Sequence, residues 1–315
     1  MKFSHLFGPV PSRRLGVSLG IDLIPFKTCS LDCVYCECGK TTVLTEERKE
    51  YVQTTEVLEE LKKYLDTKPE LDYITFSGSG EPTLHSKIGK IVYFIKNNYP
   101  TYKLALLTNG TLFTDKSLIE DVKDVELIIP SLDSASDEVF HKINRPYKNL
   151  SIEKIINSLT ELRQINNGQF WLEVFIIPGL NDTAEEIQLL KKAIEKIKPD
   201  KIQLNTLDRP GTENWVKPAS RERLIQISNI LGNKSEIIKT FKSRKKVKSY
   251  KVETKDKIID ILKRRPCTEK DLAQILGLHI NEITKYIQVL LESNEIKTKE
   301  EARGTFYYLT QSSQS

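Results

Sequence analysis

An α/β fold, built as an open partial (β/α)6 barrel of parallel strands with a small C-terminal unit after it, is predicted for this 315-residue chain by three observations. Short, nearly continuous apolar runs alternate six times with amphipathic stretches. That is the pattern of parallel strands covered on both faces and joined by right-handed helical crossovers. Six units are too few for a closed eight-stranded barrel, so an open one is expected, with a flat doubly wound sheet as the alternative. After residue 238 the alternation stops and a basic run begins. The expected division is 1–238 for the barrel, 239–253 for a basic linker and 254–315 for the small domain.

Taken in order, the strand runs are GVSLGIDLI (16–24), LDYITFS (71–77), YKLALLT (102–108), VELIIPSL (125–132), FWLEVFII (170–177) and KIQLNTL (201–207). Between them, TTEVLEELKKYL carries Val57, Leu58, Leu61 and Leu65 on one face, and SIEKIINSLTELRQI and TAEEIQLLKKAIEKI repeat that 3.6-residue rhythm. Hydrophobic residues make up 39% of the chain, and the net charge of +5 is mild. No run reaches the roughly eighteen apolar residues that a membrane span needs. MKFSHLFGPVPSRR lacks the apolar core of a signal peptide. A cytoplasmic protein with no membrane partner is expected.

Both candidate architectures build their sites at the carboxyl ends of the strands. The first run is followed by KTCSLDCVYCEC, in which Cys29, Cys33 and Cys36 stand four and three apart and Cys38 follows. Only Cys267 lies elsewhere, so a disulfide framework is a poor reading and a metal or cluster site a good one. The spacing leaves two possibilities open. Four thiolates suit tetrahedral zinc, although Cys36 and Cys38 make an awkward bite for one ion. Three thiols on one loop suit three corners of an iron–sulfur cluster. The later runs end in FSGSGEPT (76–83), TNG (108–110), SLDS (131–134) with INRP (143–146) nearby, and IIPGLND (176–182). Gly78 and Gly80 allow close backbone approach to a ligand, and Glu81 offers an acceptor to an ammonium.

In that order, over roughly residues 5–235, these segments resemble the radical S-adenosylmethionine superfamily. FGPVPSRRLGVSLGIDLIP and YCECGKTT are similar to the subgroup near the wyosine-forming tRNA enzymes. That enzyme carries a second cysteine set ahead of the first. Residues 1–28 contain none, so its second cluster and its particular reaction are not expected here. The resemblance implies a [4Fe–4S] cluster on Cys29, Cys33 and Cys36, with one iron open to S-adenosylmethionine. It further implies reductive cleavage to a 5′-deoxyadenosyl radical and a low-potential electron donor of the ferredoxin or flavodoxin type. Cofactor contacts are implied for Tyr35 at the adenine and for Gly78, Ser79, Gly80 and Glu81 at the methionine amino group. Asn109, Asp133 at the ribose, Gly179 and Asn181 complete that set. For Asp133 a strand-end cap is the competing role.

Arg13 and Arg14, ahead of the first strand, suit a carboxylate or phosphate of the substrate, or else a solvated arm. Cys38 reads as an unliganded thiol or a group that tunes the cluster, and Cys267 as a small core hydrophobe. His85, His141 and His279 have no partner at metal-ligand spacing, and His5 is unplaced. In the small domain, Lys255–Arg264 reads as a helix halted by Pro266. Thr268 caps a second helix to Leu276, with Glu269 and Asp271 in its first turn, and Gly277 makes the turn. ITKYIQVLLES reads as a third helix, and EIKTKEEARGTFYYLT as a hairpin turning near Gly304. Together these resemble a winged helix-turn-helix domain. In the basic run, Lys242, Arg244, Lys245, Lys246 and Lys248 interleave with Phe241 and Tyr250, as in a nucleic-acid footprint or a solvated linker. Two functions compete: a radical enzyme whose appended domain presents RNA or protein, and an iron–sulfur redox-sensing regulator that binds nucleic acid.

Overall fold

A computed structural model describes residues 3–12, 14–36, 38–148, 150–207, 211–238 and 254–278. Beyond these it describes 283, 286, 287, 290, 291, 293–301 and 303–310. The chain opens with β1 (Leu6–Ser12), β2 (Gly16–Ile21), the two-residue strands β3 (Thr28–Cys29) and β4 (Val43–Leu44), α1 (Thr54–Leu65) and β5 (Tyr73–Phe76). A 3-10 turn, Pro82–Leu84, leads to α2 (Ile88–Asn98), β6 (Leu104–Thr108), α3 (Lys116–Val122), β7 (Leu127–Pro130), α4 (Asp137–Asn144) and α5 (Ile152–Ile165). Then come β8 (Gln169–Phe175), α6 (Ala184–Ile197), β9 (Lys201–Asn205), α7 (Arg221–Leu231) and β10 (Ser235–Ile237). The C-terminal unit has α8 (Thr254–Arg264), α9 (Glu269–Leu276), β11 (Ile296–Glu301) and β12 (Gly304–Leu309).

The main sheet runs β1-β2-β5-β6-β7-β8-β9-β10. Every neighbouring pair from β2 to β10 is parallel; only β1 on β2 is antiparallel. The order follows the chain with no reversal. A doubly wound sheet reverses at a switch point, so this order is that of a barrel wall left open at its edges. All six expected strands are present. β1 and β10 were not expected. β1 contains Pro9 and Pro11, which argue against a strand except at a sheet edge, where it lies. β10 has only three residues.

Side chains alternate across this wall. Phe170, Leu172 and Val174 of β8 join the large core shared with the helices, alongside Val57, Leu61 and Leu65 of α1. Trp171 and Phe175 point the other way, into the lumen. There an apolar floor holds Leu15, Ala105, Leu127 and Ile129. Nearer the carboxyl ends a second cluster gathers Val34, Ile143, Phe175, Ile177 and Val216. Each such fully buried side chain contributes about 1.5–3 kcal/mol through removal from water, which rigidifies the strand ends above it.

In the C-terminal unit, Thr268 and Asp271 form a reciprocal capping box, Gly277 ends α9 in the left-handed conformation, and β11 pairs antiparallel with β12. Ile258, Leu262, Cys267, Leu272, Ile283 and Ile287 share its core. The third expected helix falls partly outside the described residues, as does the whole basic run. Among the described residues no helix is long and apolar enough to cross a membrane.

Candidate active site

The cysteine loop leaves the end of β2 and is clamped by three segments that the sequence places at other strand ends. The first is GSGE, after β5. Lys27 N donates to Ser79 O at 3.1 Å, and Glu81 N to Thr28 O at 3.2 Å. A Cβ on Gly80 would lie 2.1 Å from the Thr28 carbonyl oxygen, and one on Gly78 2.1 Å from Asp22 Oδ1. These glycines therefore admit the protein's own loop and the Asp22 carboxylate, where sequence reasoning assigned them to a ligand's approach. Ser79 Oγ donates to Asp22 Oδ2 at 3.4 Å.

The second clamp is INRP, which forms the carboxyl end of α4 and the turn that follows it. Asp32 N donates to Asn144 O and Val34 N to Ile143 O, both at 2.9 Å, and Tyr147 N donates to Ser30 O at 2.9 Å. The third is TNG, after β6. Asn109 Nδ2 donates to Ser30 Oγ at 2.9 Å, while Asn109 Oδ1 accepts from Thr111 N and Oγ1.

Each of the three spaced thiols receives one side-chain N–H. Asn109 donates to Cys29 Sγ at 3.4 Å, Asn144 to Cys33 Sγ at 3.4 Å, and the Lys27 ammonium to Cys36 Sγ at 3.1 Å. Cys38 differs: its thiol donates to the Arg264 carbonyl of α8 at 2.5 Å. Burial pushes the Cys29 thiol up to about 12 and the Cys33 thiol well above its ordinary value. Cys36 is pulled down to about 6, first by the Cys38 side chain beside it and then, against burial, by the Lys27 charge. Burial opposes the Lys27 charge, yet the Cys36, Cys38 and Cys29 sulfurs hold its pKa above the ordinary lysine value.

Among the described residues, no three Cys, His, Asp or Glu side chains converge tightly enough to hold a single metal ion. A cluster, with corners several ångströms apart, asks for thiolates spread along a loop with N–H donors to sulfur. The donor set fits that group. A bound cluster deprotonates its thiol ligands outright, which removes the obstacle that burial sets at Cys29 and Cys33.

Glu81 is enclosed, 2% exposed. Its Oε1 accepts from Thr83 N (3.1 Å), Thr83 Oγ1 (2.6 Å) and Thr108 Oγ1 (2.6 Å), and its Oε2 from Asn109 N (2.7 Å). It thus ties GSGEPT to TNG. Burial raises its pKa against these bonds. Asp133 accepts from Phe175 N at 2.9 Å on Oδ1, and from Tyr35 Oη (2.5 Å) and Asn144 Nδ2 (2.8 Å) on Oδ2. The Tyr35 ring stacks on Phe175, centroids 3.9 Å apart and 9° from parallel. Asn181 is fully buried; its amide donates to Asp133 O and Phe175 O and accepts from Ile177 N. Asp133 and Asn181 therefore lock the ends of β7 and β8, and their polar atoms are turned into the protein. Gly179, at φ 80°, sits in an exposed turn with open space where a side chain would be.

Arg14 reaches the lumen, donating to Glu173 Oε2 at 2.6 Å, and Asn205 holds the other oxygen of Glu173 at 2.9 Å. Arg13 and His279 lie outside the described residues. His85 is enclosed between Val52 O and Lys87 N, with burial lowering its pKa. His141 lies over Asp137 O. His5 sits against Glu60, whose hydrogen bond raises its pKa. A cavity of about 40 Å³, room for a water or so, lies under the loop against Cys33, Tyr35, Asn109, Asp133 and Asn144. Sequence reasoning missed Lys27, Asn144 and Arg264 as neighbours of the thiols. INRP was noticed as a segment, but nothing in it announces a sulfur partner.

The family model described as the Radical SAM superfamily matches residues 23–192. The chain is similar to a protein named GTPase Obg of Brachyspira hyodysenteriae, 34% identical over 311 residues; the match spans 98% of this chain and only 45% of that relative's length. It is similar to a UPF0026 protein of Methanocaldococcus jannaschii, 32% identical over 279 residues, covering 86% of this chain and 85% of that one. Among solved structures it resembles a radical SAM methyltransferase from Sphaerobacter thermophilus, with a TM-score of 0.55, 16% identity and coverage of 70% and 66% of the two chains. That likeness is one of fold.

Proposed function

The chain belongs to the radical SAM superfamily, whose members bind a [4Fe–4S] cluster and S-adenosylmethionine, and on that footing we propose that it is a reductive S-adenosylmethionine-cleaving enzyme acting on a macromolecule, RNA ahead of protein. The observation that carries this reading is the set of three thiols, each facing its own N–H donor, on a loop clamped at the carboxyl ends of the parallel strands. When bound, the cluster and cofactor supply one-electron cleavage of a sulfonium carbon–sulfur bond, giving methionine and a 5′-deoxyadenosyl radical that takes hydrogen from substrate. Enzymes of this class need a reductant; a donor of the ferredoxin or flavodoxin type fits.

The chain's own residues then divide as follows. Cys29, Cys33 and Cys36 hold the cluster, and Cys38 does not. Ser79, the exposed turn at Gly179 and the Tyr35 ring edge border the cofactor. Glu81, Asn109, Asp133 and Asn181 act by holding the loops around it. Arg14 faces the lumen and suits an anionic group of the substrate. The RNA lean comes from the seven basic residues of 239–251, with no acid among them, ahead of a unit in which two helices and an antiparallel hairpin support a winged-helix reading. An iron–sulfur regulator has no use for a GSGEPT clamp or six βα units, so that reading is the weaker.

The test is anaerobic reconstitution with iron and sulfide. One [4Fe–4S] cluster is expected in the parent and in Cys38→Ala, and none in Cys29→Ala, Cys33→Ala or Cys36→Ala. Dithionite and S-adenosylmethionine should then give 5′-deoxyadenosine. Stoichiometric zinc without iron uptake overturns the reading, and modification of protein rather than of extracted RNA overturns its RNA lean.

A further inference from the structure

We propose that Lys27 sets the reduction potential of the cluster by donating a charged hydrogen bond to the Cys36 sulfur. This rests on the cluster reading above and assigns a task to a residue that the reading leaves unused. Lys27 is 3% exposed. Among the described residues its ammonium has no carboxylate partner; its one side-chain hydrogen bond goes to Cys36 Sγ at 3.1 Å. Lysines are almost never buried without a counter-charge, because an unpaired ammonium in a desolvated site is costly. The anion that this position awaits is the thiolate of a metal-bound cysteine.

The lysine is also fixed in place. Its backbone is held in the left-handed conformation at φ 58°, a cost for a residue with a side chain. Its N–H donates to Ser79 O, and its carbonyl accepts from Thr42 N and Val43 N. Two segments thus hold the Lys27 backbone, and its ammonium lies against one particular sulfur. The other two sulfurs have neutral amide donors, Asn109 and Asn144, both at the longer 3.4 Å. Of the three donors only Lys27 carries charge.

Reduction adds one electron to the cluster, taken from an external low-potential reductant, with no bond made or broken at Lys27 and no proton moved. A fixed positive charge at a ligand sulfur favours the reduced, more negative form, and hydrogen bonds to cluster sulfurs act in the same direction. The interaction is stronger where water is excluded. Removing the charge therefore lowers the potential.

The experiment is an anaerobic redox titration of the reconstituted full-length protein, followed by electron paramagnetic resonance without S-adenosylmethionine. It compares the parent with Lys27→Met, Lys27→Gln and Lys27→Arg. In the two neutral variants the ratio of reduced to oxidised cluster at a fixed poise should fall about tenfold, a midpoint about 59 mV lower for a one-electron couple. Lys27→Arg should stay near the parent. A neutral variant that holds a full cluster at the parent potential overturns the proposal. If both neutral variants fail to hold a cluster, the proposal is also overturned, in favour of a role in assembly if Lys27→Arg still loads and in folding if it does not. A parent protein that takes up no iron overturns the cluster reading instead.

Discussion

Asp133 is fully enclosed at the end of β7, and burial, the largest influence on it, pushes its pKa from an ordinary 3.8 to about 6 against bonds from Tyr35, Asn144 and Phe175. Folding then favours the protonated carboxyl. Its stabilising effect is complete below the unfolded value and is lost as pH rises through about 6, at about 1.4 kcal/mol per pH unit and roughly 3 kcal/mol in all. Asp133 should thus cost the parent stability as pH rises from about 4 to 6, and burial shifts Glu81 in the same direction. Asp133→Asn should remove the Asp133 share; urea unfolding across that range reads the difference in slope. Glu81 makes a separate case. Glu81→Ala strands Thr83 N and Asn109 N in a buried site, at roughly 1.5–3 kcal/mol for each charged hydrogen bond removed. A clear fall in urea midpoint is expected, with the Asn109 bond to Cys29 loosened as well. An unchanged midpoint would show that the carboxylate is free for the cofactor.

At the scale of elements, the strand ends do the positioning, and the GSGE turn shows how closely they fit. Gly80→Ala drives a methyl group into the Thr28 carbonyl, one residue before Cys29. A loss of about 1–3 kcal/mol is expected from overpacking, with a cluster that loads more slowly than in the parent, read from iron uptake against time. The six parallel strands were legible because doubly covered strands are continuous apolar runs, and α1, α5 and α6 because their apolar residues recur on one face. The spacing of Cys29, Cys33 and Cys36 marked the loop as a place for metal chemistry but left zinc and a cluster both open. What was not legible depends on packing. Thr268 announces its capping box in a four-residue window. The pairing of Asn144 with Cys33 spans 111 positions and needs the whole of β5 to α4 to be folded first. The same holds for the glycines: sequence shows that a close approach occurs, and only the fold shows that the approaching group is Asp22 or Thr28.

For the whole molecule, the C-terminal unit is joined to the barrel mouth. Arg264 donates to Asp22 Oδ2 at 2.6 Å and lies 3.8 Å over the Phe7 ring. Among the described residues Asp22 Oδ1 has no hydrogen-bond partner, and burial raises the pKa of this carboxylate although Arg264 opposes it. Arg264→Ala leaves that charge uncompensated and should cost about 3 kcal/mol, read as a fall in the urea midpoint of the full chain. Removing everything after residue 238 leaves every proposed cofactor residue in the chain. The Arg264 contacts with Asp22 and Cys38 make truncation an insult to the cysteine loop as well. Substrate binding is tested by replacing Lys245 and Lys246 with Ala. If 239–251 grips RNA, the slope of log K against log salt should fall by roughly one for each phosphate no longer neutralised; an unchanged slope in a filter-binding assay argues against RNA there. The clamps on the cysteine loop also set a timetable. Its backbone partners at Ile143, Asn144 and Tyr147 are made more than a hundred residues after the thiols leave the ribosome. The nascent chain therefore carries three exposed cysteines for seconds before it has a site, and iron delivery is obliged to be a late event. Ribosome-bound chains halted near residue 130 should take up no cluster, while chains halted past the end of the barrel should.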